Sequence, residues 1–341
     1  MNIEAVAPGT FDGASILVTG GTGSFGKAFV RSLFANHKPE KVVVYSRDEL
    51  KQYEMEQDVP ADQKGTIRFF IGDVRDIDRL EMAFRGIDIV VHAAALKHVP
   101  AAEYNPFECV KTNIYGAENV VTAALRCGVK RVLALSTDKA ASPINLYGAS
   151  KLAADKIFVA ANNLSGKQDT RFSVVRYGNV LGSRGSVLPF FQRLIREGAK
   201  ALPITHPDMT RFWITLNQGV RFVESSLEMM SGGEIFVPKI ASMKVTDLAT
   251  ALAPELPHEI IGIRPGEKLH EQMITVDDAR TTLSLSDRYI IEPSLAYWSN
   301  AHLVKSGADR VPENFEYASN LNDQWLDRDG LFALLQESDL A

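Results

Sequence analysis

Tyr147 and Lys151, in Tyr147-Gly148-Ala149-Ser150-Lys151, set a phenol and an ammonium one helical turn apart on the same face. A free tyrosine titrates at about 10, and a neighbouring ammonium together with a cationic nicotinamide would stabilise its phenolate and draw that value towards neutrality. Tyr147 is therefore a candidate base for a hydroxyl proton that leaves while hydride departs from the same carbon. Lys151 is placed to bond the ribose of a hydride acceptor. A Tyr-x-x-x-Lys pair is common on ordinary helices, so its context decides. That context is Thr137, which closes an apolar run ten residues before Tyr147, and a glycine-rich turn far upstream.

The turn reads Thr19-Gly20-Gly21-Thr22-Gly23-Ser24-Phe25-Gly26. Glycines 20, 23 and 26 follow a strand-like run and open a helix-like one, a spacing that lets backbone approach a pyrophosphate and faces a helix N-terminus to its charge. The next apolar run ends in Ser46-Arg47-Asp48. A carboxylate there suits the ribose 2′-hydroxyl of NAD, and an arginine suits a 2′-phosphate. Ser46 and Arg47 come first, so the expected cofactor is NADP. The plainer alternative is a solvated Arg47 and an Asp48 that caps the following helix. Asp73 and Val74 are placed at the adenine edge, and Ala93 and Ala94 are small enough for a dinucleotide to lie against. The candidate cofactor residues are thus Gly20, Thr22, Gly23, Ser24, Phe25, Gly26, Ser46, Arg47, Asp73, Val74, Ala93, Ala94, Lys97, Tyr147 and Lys151.

These residues sit where one repeating unit would put them. Six mostly apolar runs, Ile16–Gly20, Val42–Ser46, Ile67–Asp73, Asp88–Ala94, Arg131–Thr137 and Phe172–Gly178, alternate with helix-length segments, clearest at Gly23–Ala35, Pro106–Cys127 and Tyr147–Leu164. Apolar runs without strict alternation are strands covered on both faces, so a doubly wound parallel α/β sheet is expected. The 341 residues suggest about two domains. We expect a dinucleotide-binding unit over 14–180. A smaller substrate-binding unit over 181–341 would return some segments to the sheet, including Glu234–Pro238. An aromatic tail carrying Trp298, Phe315, Tyr317 and Trp325 should pack on the body.

Composition narrows the class. Apolar residues are 45% and charged residues 23%, which is ordinary for a globular chain, and the net charge of −5 gives no support for a nucleic-acid partner. Two cysteines make no disulfide framework, and seven histidines show no ligand spacing, so no metal is expected. His92 reads as a satisfied core residue. No run approaches about 18 apolar residues and no secretory signal opens the chain, so no membrane contact and a cytoplasmic location are expected.

Thr19-Gly20-x-x-Gly23-x-x-Gly26 together with Tyr147-x-x-x-Lys151 resembles the extended short-chain dehydrogenase/reductases. Further segments narrow this. They are His92 to Pro100, Leu135 to Lys151, Arg176-Tyr177-Gly178-Asn179-Val180, Arg264-Pro265-Gly266-Glu267-Lys268, Phe315-Glu316-Tyr317 and Gln324-Trp325-Leu326. With them the chain is similar, over nearly its whole length, to the soluble inverting UDP-N-acetylglucosamine 4,6-dehydratases of pseudaminic acid synthesis. The N-terminal extension of about a dozen residues departs from that pattern and has no assigned role.

The resemblance implies a redox-neutral cycle on a UDP-sugar: oxidation at C4, loss of water across C5 and C6, hydride return to C6, and a C5 proton delivered from the opposite face. It assigns Lys139 as base at C5 and Asp138 as acid at the C6 oxygen, for which the pKa of Lys139 must fall through burial and nearby cations. It makes Lys97, Thr137, Asn179, Arg184, Arg264 and Glu267 candidates for the substrate, and Asn113 a candidate to orient Lys151. A homo-oligomer is implied, with a hexamer as one such form. A nucleotide-sugar 4-epimerase is the runner-up, against which Asp138-Lys139 speaks; a non-catalytic NADP sensor ranks below it, since Tyr147 and Lys151 are both kept.

Overall fold

The six apolar runs form strands β1 (Ser15–Thr19), β2 (Lys41–Ser46), β3 (Ile67–Ile71), β4 (Ile89–His92), β5 (Arg131–Thr137) and β6 (Arg171–Tyr177). They pair in parallel in the order 3-2-1-4-5-6. The computed structural model describes residues 3, 5–166, 168–183, 185–293, 299 and 301–337. Ile16, Leu17, Val18, Val42, Val44, Val90, Val91, Val132 and Leu133 are fully buried, because helices cover both faces of the sheet. The strand order reverses between β1 and β4, and open α/β sheets bind ligands in the crevice beyond the carboxyl ends at such a point.

Later segments widen this sheet. Ile235–Pro238 adds in parallel to β6, and Arg288–Ile291, Thr282–Ser284 and Asp309–Arg310 continue it antiparallel. A second, smaller core of Leu181, Leu188, Phe191, Leu202, Ile204, Trp213, Met243, Leu248 and Leu331 lies beside it. Its scaffold is a three-stranded sheet of Ala241–Lys244, Thr210–Ile214 and Asn179–Val180, with helices Val187–Arg196 and Val245–Leu252. Phe191 is buried there and Phe190 is partly exposed.

Local sequence explains the helix ends and one departure. Asn145 caps helix Leu146–Ala161 by accepting from the Gly148 N–H at 2.7 Å, and the helix tightens into a 3₁₀ turn at Asn162–Leu164. The segment expected as one helix over Pro106–Cys127 is broken: helix Pro106–Val110, a π-helical stretch Lys111–Tyr115, then helix Gly116–Cys127 closed by Gly128 at φ +69°. The wide turn aims Asn113 inward, where its amide bonds both the N–H and the C=O of Leu96 and the Ser150 hydroxyl.

The N-terminal extension does have a structural role. Ile3 and Phe11 are buried in the main core, Phe11 meets His37 edge-on at 4.9 Å, and the Gly9 N–H donates to Asn36 O and His37 Nδ1. It therefore covers the end of helix α1 (Ser24–Asn36). In the tail, Tyr317 is buried and bonds the backbone of Ile240 through its hydroxyl, Phe315 packs on Tyr289, and Trp325 stays half-exposed. Trp298 lies outside the described residues. Among those residues no helix is long and apolar enough to cross a membrane.

Candidate active site

The glycine turn is built so that side chains cannot be added to it. Gly20 has φ +67°, and a Cβ there would stand 2.9 Å from Ala94 N at the end of β4. A Cβ on Gly26 would stand 2.4 Å from Gly21 Cα, so helix α1 packs against the turn only with glycine at 26. Gly23 is the N-cap of α1 and supplies no side-chain cap, leaving the first N–H groups of that helix open to an anion. Thr22 and Ser46 lock the turn to β2 through a buried hydroxyl pair at 2.8 Å, and Phe25 stacks on Phe29. Open N–H groups, small residues and a left-handed glycine fit a pyrophosphate-bearing dinucleotide.

The end of β2 bears out the helix-cap half of the plainer reading of Ser46-Arg47-Asp48. Asp48 caps helix α2 (Glu49–Gln57), accepting from the Lys51 N–H, and pairs with the Lys51 ammonium. Arg47 is half-exposed, with Nη1 3.5 Å from Asp73. Asp73 also takes two bonds from the Arg75 guanidinium, at 3.0 and 2.7 Å, and one from its backbone N–H at 2.9 Å. Burial raises the pKa of Asp73, but Arg75 and Arg47 outweigh it and hold the carboxyl below its ordinary range. Val74 is buried and Lys97 exposed.

The second half of the site gathers at the end of β5. Thr137 donates to Asp138 Oδ1 at 2.8 Å, and the Asp138–Ala140 turn folds back on helix Leu146–Ala161. This fold-back depends on Gly148, where a Cβ would lie 2.2 Å from Lys139 O. The close approach brings Tyr147, Thr137, Asp138 and Lys139 together. Lys139 Nζ is 3.1 Å from Asp138 Oδ1 and 3.4 Å from Asn179 Oδ1. Lys151 is buried behind them and donates to Leu135 O at 2.6 Å.

The protonation of these groups follows from their neighbours. Lys139 is held as an ammonium. Burial opposes its charge, but Asp138 and Glu271 outweigh burial and push its pKa above the ordinary lysine value. Tyr147 is pulled in both directions. Burial pushes it up to about 12, and the cation and hydroxyl that pull it back are Lys139 and Thr137. Asn113 bonds Leu96 and Ser150, the neighbour of Lys151, and Lys151 donates to Leu135 O. Lys151 itself is lowered by burial. His92 is the expected core histidine: fully covered, bonded to Thr19 at 2.8 Å, and lowered to about 3 by burial and Lys151.

Of the substrate candidates, Asn179 joins the cluster directly. Arg264 is exposed and pairs with Glu267 in its own loop at 3.1 Å, and that loop is stitched to the site by Asn145 Nδ2 to Gly266 O and Lys268 Nζ to Ala141 O. Arg184 lies outside the described residues. Sequence reasoning missed Glu271 and Arg211. Glu271 Oε1 lies 3.1 Å from Lys139 Nζ, and Arg211 is buried with Nε 3.7 Å from the same oxygen. The one signal for Glu271 was its place just after the Arg264–Lys268 segment.

Comparison with known proteins agrees with this geometry. Residues 16–293 match the family model described as polysaccharide biosynthesis protein. The chain is 55% identical over 334 residues to a UDP-N-acetylglucosamine 4,6-dehydratase (inverting) of Campylobacter jejuni, covering 96% of this chain and 99% of that protein. It is 40% identical to a UDP-glucose 4-epimerase of Rickettsia canadensis, over 90% of this chain and 91% of that one. A dTDP-glucose 4,6-dehydratase structure from Streptomyces venezuelae with NAD bound superimposes with a TM-score of 0.66 at 25% identity, covering 75% of this chain and 86% of that one. With the family model spanning most of its length, the chain belongs to the polysaccharide biosynthesis protein family.

Proposed function

We propose that this chain is an inverting UDP-N-acetylglucosamine 4,6-dehydratase that works with a tightly held nicotinamide dinucleotide, NADP in preference to NAD. The observation that carries the reading is the Asp138–Lys139 pair standing beside Tyr147 at the end of β5. It accords with the activity of the Campylobacter jejuni relative. Gly20, Thr22, Gly23, Ser24, Phe25 and Gly26 would hold the pyrophosphate, and Ala93 and Ala94 would let the dinucleotide lie against β4. NADP is favoured because Asp48 is committed as a helix cap while Arg47 stands at the strand end. The dinucleotide, when bound, supplies the hydride acceptor for C4 and the hydride donor for C6.

The residues of the chain do the proton chemistry. Tyr147 takes the C4 hydroxyl proton, and the Lys139 and Thr137 contacts offset part of the burial that raises its pKa. Lys151, buried and tied to Leu135 O, is the donor for the cofactor ribose. With C4 a ketone, the C5 proton is acidified, since its anion delocalises into the carbonyl. Lys139 then takes that proton and Asp138 protonates the departing C6 hydroxyl. Asn179, Thr137, Lys97, Arg184, Arg264 and Glu267 are the residues proposed to bind the sugar nucleotide, with residues 181–341 as the substrate unit.

The 40% identity to a UDP-glucose 4-epimerase favours a second reading, 4-epimerisation. Incubation with UDP-N-acetylglucosamine in D₂O, without added reductant and followed by NMR, separates the two. A 4-keto-6-deoxy product with deuterium at an inverted C5 is expected. A 4-epimer alone, or unchanged sugar, would overturn the dehydratase reading.

A further inference from the structure

Lys139 stands between two carboxylates where one would neutralise it. Its Nζ is 3.1 Å from Asp138 Oδ1 and 3.1 Å from Glu271 Oε1, and both acids are buried. Each keeps one oxygen, Asp138 Oδ2 and Glu271 Oε2, without a hydrogen-bond partner. Burying a second anion is costly unless a cation answers it. Here the cation is Arg211, held in place by the carbonyls of Thr210, Leu269 and Lys268. Two anions and two cations leave the cluster neutral.

Elimination needs Asp138 with a proton and Lys139 without one. During the step the C5 proton passes to Lys139 Nζ and the C5–H electron pair becomes the C5=C6 bond. The C6–O bond breaks, and Asp138's proton leaves with the hydroxyl as water. Asp138 ends as carboxylate and Lys139 as ammonium. Transfer of one proton across their 3.1 Å contact restores the starting state. The cluster sums to zero charge before and after, provided that Glu271 stays ionised against Arg211.

We propose that Glu271, backed by Arg211, is the positioning residue that anchors the Lys139 nitrogen and supplies the constant negative charge against which a proton shuttles between Lys139 and Asp138. This rests on the dehydratase reading. Other charged or titratable groups that face the cluster are Tyr147 from helix Leu146–Ala161, Lys268 and Glu267 from the loop before Glu271, and Arg176 beyond Lys268.

The test is the pH profile of C5 deuterium incorporation in Glu271→Gln. Removing the charge should move both limbs to lower pH, the upper limb by about one unit or more, because Glu271 touches Lys139 directly. Glu271→Asp, with its carboxylate withdrawn by one methylene, should shift the limbs by an intermediate amount. A merely structural role would lower the amplitude and leave both limbs in place, which would overturn the proposal. A readout without turnover is the pH dependence of Lys139 acylation by a small amine reagent, measured by mass spectrometry. Its midpoint should fall in Glu271→Gln, and an unmoved midpoint would overturn the proposal as well. Wild-type protein that fails to dehydrate the sugar would instead sink the underlying reading, so the two failures are distinct.

Discussion

Lys139 in its resting state is an ammonium clamped by carboxylates, so its basicity must be released within the cluster. Lys139→Ala should keep C4 oxidation, seen as reduced cofactor, while C5 exchange falls by about 10²–10⁴-fold. Elimination at a near-normal rate in that variant would show that another group is the base. His92 carries a separate, stability-linked expectation. Its pKa is about 3 in the folded chain against 6.5 as the ordinary value. The unfolded chain therefore binds more protons between those values, and the stabilisation, complete above pH 6.5, drains away as pH falls towards 3. Chemical denaturation from pH 6 to 5 should show a stability slope that is smaller in His92→Gln by about 1 kcal/mol per pH unit. An unchanged slope would mean that His92 is charged in the folded state. Tyr147, Thr137, Asp138 and Lys139 were legible as candidates because they share one short segment. Their protonation was not, because Glu271 and Arg211 arrive from segments far along the chain.

At the scale of elements, the strands were legible because β-branched apolar runs need cover on both faces, and only a doubly wound sheet provides it for so many. The π-helical stretch was not, since Lys111–Tyr115 carries no local signal for a wider turn; the demand comes from Asn113 reaching Leu96 and Ser150. The most telling element contact is that of the Asp138–Ala140 turn on helix Leu146–Ala161. Gly148→Ala would force Lys139 O away from a Cβ 2.2 Å distant. We expect a loss of about 1–3 kcal/mol from this overpacking. Turnover should fall at least tenfold, by an order-of-magnitude estimate from the displaced acid–base pair. Thermal melting and the D₂O assay report the two effects, and unchanged values in both would show that the turn is not held by this contact.

For the whole molecule, the N-terminal extension belongs to the main core through Ile3 and Phe11. Phe11→Ala should cost about 3–5 kcal/mol of stability, measured by denaturant unfolding, with the pH profile of C5 exchange unmoved. A loss below about 0.5 kcal/mol, the range of an ordinary surface change, would show that the extension lies on the surface as an unpacked strap. The doubly wound parallel sheet, the glycine turn and the segment Leu135–Lys151 followed from the sequence by itself. Each rests on local chemistry: apolar periodicity, the steric permission of glycine, and the fixed pitch of a helix. Tertiary structure alone decided that Lys139 is held as a cation, that Asn113 serves Leu96 and Ser150, and that Glu271 and Arg211 complete the cluster. The physical reason is that electrostatics and burial depend on distance in space, and β5, β6, the strand Thr210–Ile214 and the Arg264–Glu271 loop become neighbours only when the chain has folded.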